Sequence, residues 1–84
     1  MNADAAGLTS FREQDGLWQA RKGTTFRAFK RALPELVEGV DFVYLNAGEH
    51  PAEIERLRAA QRIYASSVNV VLLAASGVRK LARL

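Results

Sequence analysis

The sequence contains no cysteine, which excludes a disulfide framework and any zinc site built on thiolate ligands. Its longest purely apolar run, VVLLAA at residues 70–75, is far short of the ~20 residues that a membrane-spanning helix needs. The first residues, MNADAAGLTSFREQ, do not place a basic region before an apolar one, so we expect no secretory signal. These absences favour a cytoplasmic protein with no membrane partner.

Side chains suited to catalysis are also scarce. The single histidine, His50, precedes Pro51 in a predicted loop, and Ser66 and Ser67 have no evident base and are typical of a turn. The acids that follow Pro34 lack the alternating spacing of a calcium loop, and the sequence has no glycine-rich phosphate loop. We therefore predict no enzymatic activity, no metal site and no cofactor.

The charges fall in blocks of one sign, although the formal net charge is only +3. Residues 21–31 contain five bases and no acid, residues 35–55 contain six acids and no lysine or arginine, and residues 56–84 contain six bases and no acid. Single-sign blocks create a directed electrostatic field. Blocks that neutralise one another in the fold, or chance, would give the same pattern.

The order of the predicted elements favours an α+β fold. With 84 residues the chain fits one domain, which we place at residues 10–84 after a disordered amino terminus at residues 1–9. The elements are helices at 11–19 and 24–33, a helical turn in PELVEG, a strand at 40–45, a helix from Pro51, two short strands in RIYASSVNVVLL and a basic helix in AASGVRKLARL. This order predicts a small winged helix-turn-helix-like domain with a short two- to three-stranded antiparallel sheet.

The helix at residues 24–33 combines an apolar stripe with basic side chains. At 100° per residue, the stripe consists of Phe26, Phe29 and Leu33. The opposite side carries Thr24, Arg27, Ala28 and Arg31, with Lys30 at the flank. We expect the phenylalanines to anchor this helix to the core and the arginines to point away from it.

Such a helix suits the major groove of double-stranded DNA, since arginine matches the edge of guanine and basic groups release counterions from phosphates. We expect Arg27 and Arg31, with Thr24 or Ala28, to meet bases, and the remaining bases of this segment to contact phosphates. The predicted DNA-binding residues are Arg21, Lys22, Thr24, Thr25, Arg27, Ala28, Lys30 and Arg31. Further phosphate contacts are predicted for Arg62, Arg79, Lys80 and Arg83.

Three motifs resemble the amino-terminal DNA-binding domains of phage antirepressors, of the KilA-N and Bro-N type. They are a basic helix of the form FRAFKR, a strand of the form EG-DF-YL, and a late segment of the form VVLL--SG---L. The matching residues are Phe26, Arg27, Phe29, Lys30, Arg31, Glu38, Gly39, Asp41, Phe42, Leu72, Leu73, Ser76, Gly77 and Leu81. The resemblance implies a phage or prophage transcriptional regulator in a bacterial host cell, which acts as a homodimer or with a partner protein.

A second hypothesis assigns the basic surface to a protein. A small phage protein with a helix-turn-helix scaffold could bind and inhibit a host defence or transcription complex, with its basic side chains against an acidic surface. A third hypothesis, a basic tail helix on anionic lipid, is weak because GVRKLARL is too short to anchor by itself.

Overall fold

The computed structural model describes residues 7–83, in which helices and a small antiparallel sheet alternate along the chain. The strands are β1 (Thr9–Ser10), β2 (Phe42–Leu45) and β3 (Val70–Leu73). The helices are α1 (Phe11–Leu17), α2 (Thr24–Ala32), α3 (Pro51–Ala59) and α4 (Ala75–Ala82), with a 3₁₀ turn at Leu33–Glu35. The predicted α+β class is confirmed in this described part of the chain.

The first two predicted helices begin and end close to the residues that signal a helix start or stop in the sequence. At α1, Ser10 Oγ accepts a hydrogen bond from Glu13 N (3.0 Å) and Glu13 Oε1 accepts one from Ser10 N (2.9 Å), which is the reciprocal capping box. The α2 helix ends at Ala32 and continues as the 3₁₀ turn Leu33–Glu35, in which Leu33 keeps helical angles although it precedes Pro34. Pro34 has no N–H with which to extend the hydrogen bonds of α2.

The sheet has the strand order β1–β3–β2, and both neighbouring pairs are antiparallel. On one face, Phe42 and Leu73 pack against Phe29 of α2 and Leu81 of α4. The other face packs against α3 and the loop that follows it, through the buried side chains Ile54, Leu57, Ile63, Val70 and Leu72. The sheet therefore separates two apolar clusters, of which the first fixes the position of α2.

The prediction of two strands in residues 62–73 is wrong, because only Val70–Leu73 forms a strand there. The Arg58 guanidinium donates hydrogen bonds to the carbonyl oxygens of Ala65 (2.7 Å) and Ser67 (2.9 Å) and holds residues 62–69 as a loop. The pairing partners of β3 are instead β1 and β2. Since Thr9 pairs with Leu73, the predicted disordered segment at residues 1–9 is wrong at Thr9. Residues 1–6 and Leu84 lie outside the described residues.

Asp41 joins the start of β2 to α4. This buried carboxylate accepts hydrogen bonds from Val37 N (2.9 Å) and Ser76 Oγ (2.6 Å) and forms an ion pair with Lys80 Nζ (2.8 Å). The Lys80 ammonium is the largest influence, and with the two other donors it lowers the pKa of Asp41 from 3.8 to about 2. The junction therefore depends on an ionised carboxylate.

The free energy of unfolding should fall as the pH drops from 3.8 towards about 2, because a carboxylate with a depressed pKa stabilises the fold only above its unfolded pKa. Asp41→Asn should remove this part of the pH dependence and also lower the stability at neutral pH. Urea unfolding at a series of pH values measures both effects. A pH profile with the same slope in the variant and the parent would contradict the proposed role of Asp41.

Candidate nucleic-acid interface

A tight turn places α2 after α1. Gln19 and Gly23 have left-handed backbones, with φ of 53° and 93°, and reverse the chain direction between the two helices. The amide of Thr24 donates to Arg21 O (3.1 Å), and the amide of Arg27 donates to Gly23 O (3.0 Å). Arg21 and Lys22 are thereby exposed at the amino-terminal end of α2.

The buried carboxylate of Asp15, on α1, caps α2 from outside the helix. Its two oxygens accept hydrogen bonds from Gly23 N (3.1 Å), Thr25 N (2.8 Å), Thr25 Oγ1 (2.7 Å) and the Tyr64 hydroxyl (2.6 Å). Gly23 stands at the N-cap of α2, and it has no side chain that could bond to the helix. Asp15 performs this role although it lies eight and ten positions before Gly23 and Thr25 in the sequence.

The protonation states of this cap are fixed over the neutral range. Burial opposes the ionisation of Asp15, but the hydrogen bonds from Tyr64, Thr25 and Gly23 outweigh burial and lower the pKa of Asp15 below 3.8. Burial, together with the hydrogen bond to Asp15, raises the pKa of Tyr64 to about 12. The carboxylate and the hydroxyl therefore remain an acceptor and a donor at neutral pH.

The buried face of α2 is rotated from the predicted one. Its core side consists of Thr25, Ala28, Phe29 and Ala32, at the i, i+3, i+4, i+7 spacing. The prediction that Ala28 points outward is wrong, and burial excludes both Ala28 and Thr25 from contact with DNA. The small alanine side chains face the core, whereas Phe26 and Leu33 are 47% and 45% exposed.

The outer face of α2 carries exposed basic side chains. Arg27, Lys30 and Arg31 are exposed there, next to Arg21 and Lys22 in the turn. We call these five residues the basic face. Within residues 7–83 none of them forms an ion pair with a carboxylate.

The few contacts of the basic face are weak. Lys22 Nζ lies 4.9 Å from the ring centroid of Tyr64, and Lys30 Nζ lies 5.3 Å from that of Phe26. The Arg27 guanidinium reaches Thr24 Oγ1 at 3.5 Å, and Thr24 itself is half-buried. These contacts leave the positive charges accessible to an anionic partner.

Two of the predicted secondary phosphate contacts are structural instead. Arg62 is half-buried and donates two hydrogen bonds of 2.8 Å to the Glu13 carboxylate and one to Leu8 O, so the prediction for this residue is wrong. Lys80 is held by Asp41 and by Glu35 O (3.0 Å), and the prediction for it is wrong for the same reason. Arg79, on α4, and Arg83, directly after it, are exposed and remain predicted phosphate contacts.

Arg12 and Tyr64 were not among the predicted site residues, but the fold places them beside the basic face. The Arg12 guanidinium carbon lies 6.0 Å from the Tyr64 ring centroid, on the same ring that Lys22 contacts. Arg12 also donates to Ile63 O (3.2 Å). Tyr64 is 52 positions from Arg12 and 49 from Asp15 along the chain, so no local spacing could reveal this cluster.

Comparison of the chain with protein-family models, with curated proteins and with solved structures finds no match. In the part of the chain that the structure describes, no helix is long and apolar enough to cross a bilayer. Among the same residues no group of three or more histidine, aspartate or glutamate side chains could hold a metal ion.

Proposed function

We propose that this protein is a sequence-specific DNA-binding regulator of the phage or prophage type, which acts in the cytoplasm of the bacterial host. Its helix-turn-helix would consist of α1 and α2, with α2 in the major groove and the loop at residues 62–69 as the wing. The observation that carries the proposal is the basic face, whose five cations are exposed and form no ion pair with any carboxylate of residues 7–83.

The anchoring of α2 supports this proposal. A helix that reads base edges must hold its outer side chains in a fixed position, which requires a rigid attachment on its inner side. Here Phe29 packs edge-on against Phe42, with 5.1 Å between ring centroids, and Asp15 fixes the amino-terminal end. A homodimer would present two such helices to successive half-sites, as the resemblance to antirepressor domains implies.

Roles on DNA follow from position on the helix. Arg27 and Arg31 occupy the middle and the last turn of the outer face and would meet base edges, where each bidentate contact contributes about 1–3 kcal/mol of discrimination. Arg21, Lys22 and Lys30 would contact phosphates. Three phosphate contacts predict a slope of about −3 for the logarithm of the association constant against the logarithm of the salt concentration.

Arg27→Ala should weaken specific binding by about 1–3 kcal/mol and relax the preference at one base pair. Lys22→Ala should weaken binding to all duplexes and reduce the salt slope by about 1, because one phosphate contact is lost. Gel-shift titrations of random and selected duplexes at two salt concentrations measure both changes.

Arg56→Ala is the matched control, since Arg56 is an exposed arginine on α3, which packs on the opposite face of the sheet. We expect no change in affinity or salt slope for this variant. Absence of salt-dependent binding at micromolar protein would defeat the proposal, and an equal loss in Arg56→Ala and Lys22→Ala would defeat the assignment of the basic face.

Exposed aromatic and aliphatic side chains on α2 and the 3₁₀ turn after it favour a second candidate function. Phe26 and Leu33 lie beside the basic face, where a duplex offers few apolar partners. An acidic protein surface with apolar side chains would use both features, as in a module that binds and inhibits a host defence or transcription complex. A protein retained from nuclease-treated host lysate, together with no duplex binding, would favour this candidate.

A further inference from the structure

A groove of about 780 Å³ opens between α2 and the sheet, next to the basic face. Its floor and walls are formed by aromatic and aliphatic side chains, which include Phe11, Phe26, Phe29, Leu33, Phe42 and Tyr44. The loop at residues 62–69 forms the facing wall through Tyr64, Ser66 and Ser67. This volume lies within the ~300–1,000 Å³ that is usual for binding sites.

The groove exists because α1, α2 and α4 cover only one end of this sheet face. Phe42 and Leu73 are buried under those helices, whereas Tyr44, on the same face of β2, is 40% exposed. Phe26, on α2, also lines the groove and packs against Phe11 with 5.8 Å between ring centroids. Phe26 and Tyr44 are thus exposed rings that line one apolar groove, and exposed apolar side chains gathered in this way are typical of an interaction site.

Positive charge surrounds one end of the groove. Lys22 and Arg12 line it beside Tyr64, and Lys30 lies over the ring of Phe26. Two carboxylates also line the groove. The oxygens of Asp15, at this end, are occupied by the four hydrogen bonds of the α2 cap, and the exposed Glu38 lies beside Phe42 on the sheet side. The occupant should therefore have an apolar body and carry negative charge at the end near Lys22.

The main chain of Tyr44 adds a free sheet edge beside the groove. Ala74 N donates to Asp41 O (2.9 Å), so this opposite pair is hydrogen-bonded, and alternation along the ladder directs the N–H and C=O groups of Phe42 and Tyr44 away from β3. Phe42 O accepts a bond from Gly39 N (2.7 Å), whereas the outward groups of Tyr44 have no partner among the described residues. An added peptide strand would satisfy them.

We propose that this groove binds an extended peptide segment of a partner protein, with large apolar side chains at alternate positions and acidic residues at the end near Lys22. Alternate side chains of a strand point to the same side and lie ~7 Å apart, which allows successive ones to enter the groove. The free edge at Tyr44 favours a polypeptide over a nucleic acid, because only a polypeptide main chain can extend the sheet. The proposal does not depend on DNA binding, although an occupant at Lys22 would compete with a duplex.

The test is a selection of random linear peptides, displayed on phage, against the full chain in the absence of DNA. We expect enriched peptides to share apolar residues at alternate positions followed by aspartate or glutamate. Amide chemical shifts of the ¹⁵N-labelled protein should change at Tyr44, Val71 and Phe26 when a synthetic copy of the enriched sequence is added. Replacing the acids of that peptide by lysine should weaken binding by about tenfold or more.

Exposed positions allow variants that leave the core intact. Phe26→Ser and Tyr44→Ser should each weaken peptide binding by about tenfold or more, because each removes a ring from the groove. Leu17→Ser is the matched control, since Leu17 is 71% exposed and does not line the groove, and it should bind as the parent does. Circular dichroism of each variant checks that the fold is retained.

Several results would overturn the proposal: no enriched sequence, an enriched basic sequence, or peptide binding that both groove substitutions leave unchanged. Binding of a single-stranded oligonucleotide that requires Phe26 and Tyr44, without any enriched peptide, would assign the groove to nucleic acid instead. Self-association that the same two substitutions abolish would assign it to a second copy of the chain. None of these measurements uses duplex DNA, so peptide binding and the proposed regulator function can fail separately.

Discussion

Gly77→Ala should lower the free energy of unfolding by about 3 kcal/mol, near the upper end of what overpacking a core usually costs. A Cβ at this position would overlap the carbonyl oxygen of Asp41 and lie 3.1 Å from its carbonyl carbon. Neither atom can move independently, because Asp41 O accepts the hydrogen bond from Ala74 N and the Asp41 side chain is tied to Lys80. Urea unfolding followed by circular dichroism measures the difference.

Gly16→Ala provides the opposite control within the same chain. Gly16 is exposed inside α1, and an added Cβ there would have no atom within 4 Å apart from its chain neighbours and the backbone of its own helix. Alanine should therefore stabilise the protein by about 0.5–1 kcal/mol through its better helix propensity. If both variants lost the same stability, the close approach of Gly77 to the Asp41 carbonyl would not be the cause of the loss in Gly77→Ala.

Helix boundaries were predictable because they depend on residues close together in the sequence. The capping box of Ser10 and Glu13, the left-handed Gly23 and the break at Pro34 are each local signals, and they define α1 and α2 to within two residues. Strand β2 was predicted two residues too early, because Val40 belongs to the turn that Gly39 makes possible with φ of 88°.

The orientation of α2 could not be read from its own sequence. A stripe of Phe26, Phe29 and Leu33 has the larger apolar area, and the periodicity alone favours it as the buried face. The neighbouring elements decide otherwise, because α4 and the sheet meet α2 at Ala28, Phe29 and Ala32. The side chains of Phe26 and Leu33 therefore stay exposed and line the groove.

Charged residues were misassigned where their partners lie far away in the sequence. Arg62 and Lys80 had the pattern of exposed bases, yet Glu13 is 49 positions from Arg62 and Asp41 is 39 positions from Lys80. The basic face differs because its five residues belong to one short segment, whose outward side is defined once the core side of α2 is known. Local charge patterning therefore predicted the exposure of the basic face better than it predicted the ion pairs.

Asp15→Ala should lower the free energy of unfolding by roughly 3 kcal/mol. It should also weaken duplex binding, although Asp15 is not one of the residues proposed to contact DNA. The substitution removes the acceptor for four hydrogen bonds and leaves the Thr25 hydroxyl buried without this partner. The amino-terminal end of α2 would then be free to move, and with it Lys22 and Arg27. Thermal unfolding and gel-shift titration of the same preparation, below the melting temperature, measure the two effects together.

Tyr64→Phe distinguishes a weakened cap from general damage to the fold, because it removes only one of the four hydrogen bonds to Asp15. It should lower the free energy of unfolding by about 1 kcal/mol. The raised pKa of Tyr64 adds to the free energy of unfolding. This contribution is fully present below the unfolded pKa of 10.0 and is lost as the pH rises towards about 12. The parent should therefore lose more stability than Tyr64→Phe over that interval. Equal alkaline profiles, or an Asp15→Ala variant no less stable than Tyr64→Phe, would show that the carboxylate does not anchor α2. The basic face would then lack the rigid attachment that reading a base sequence requires.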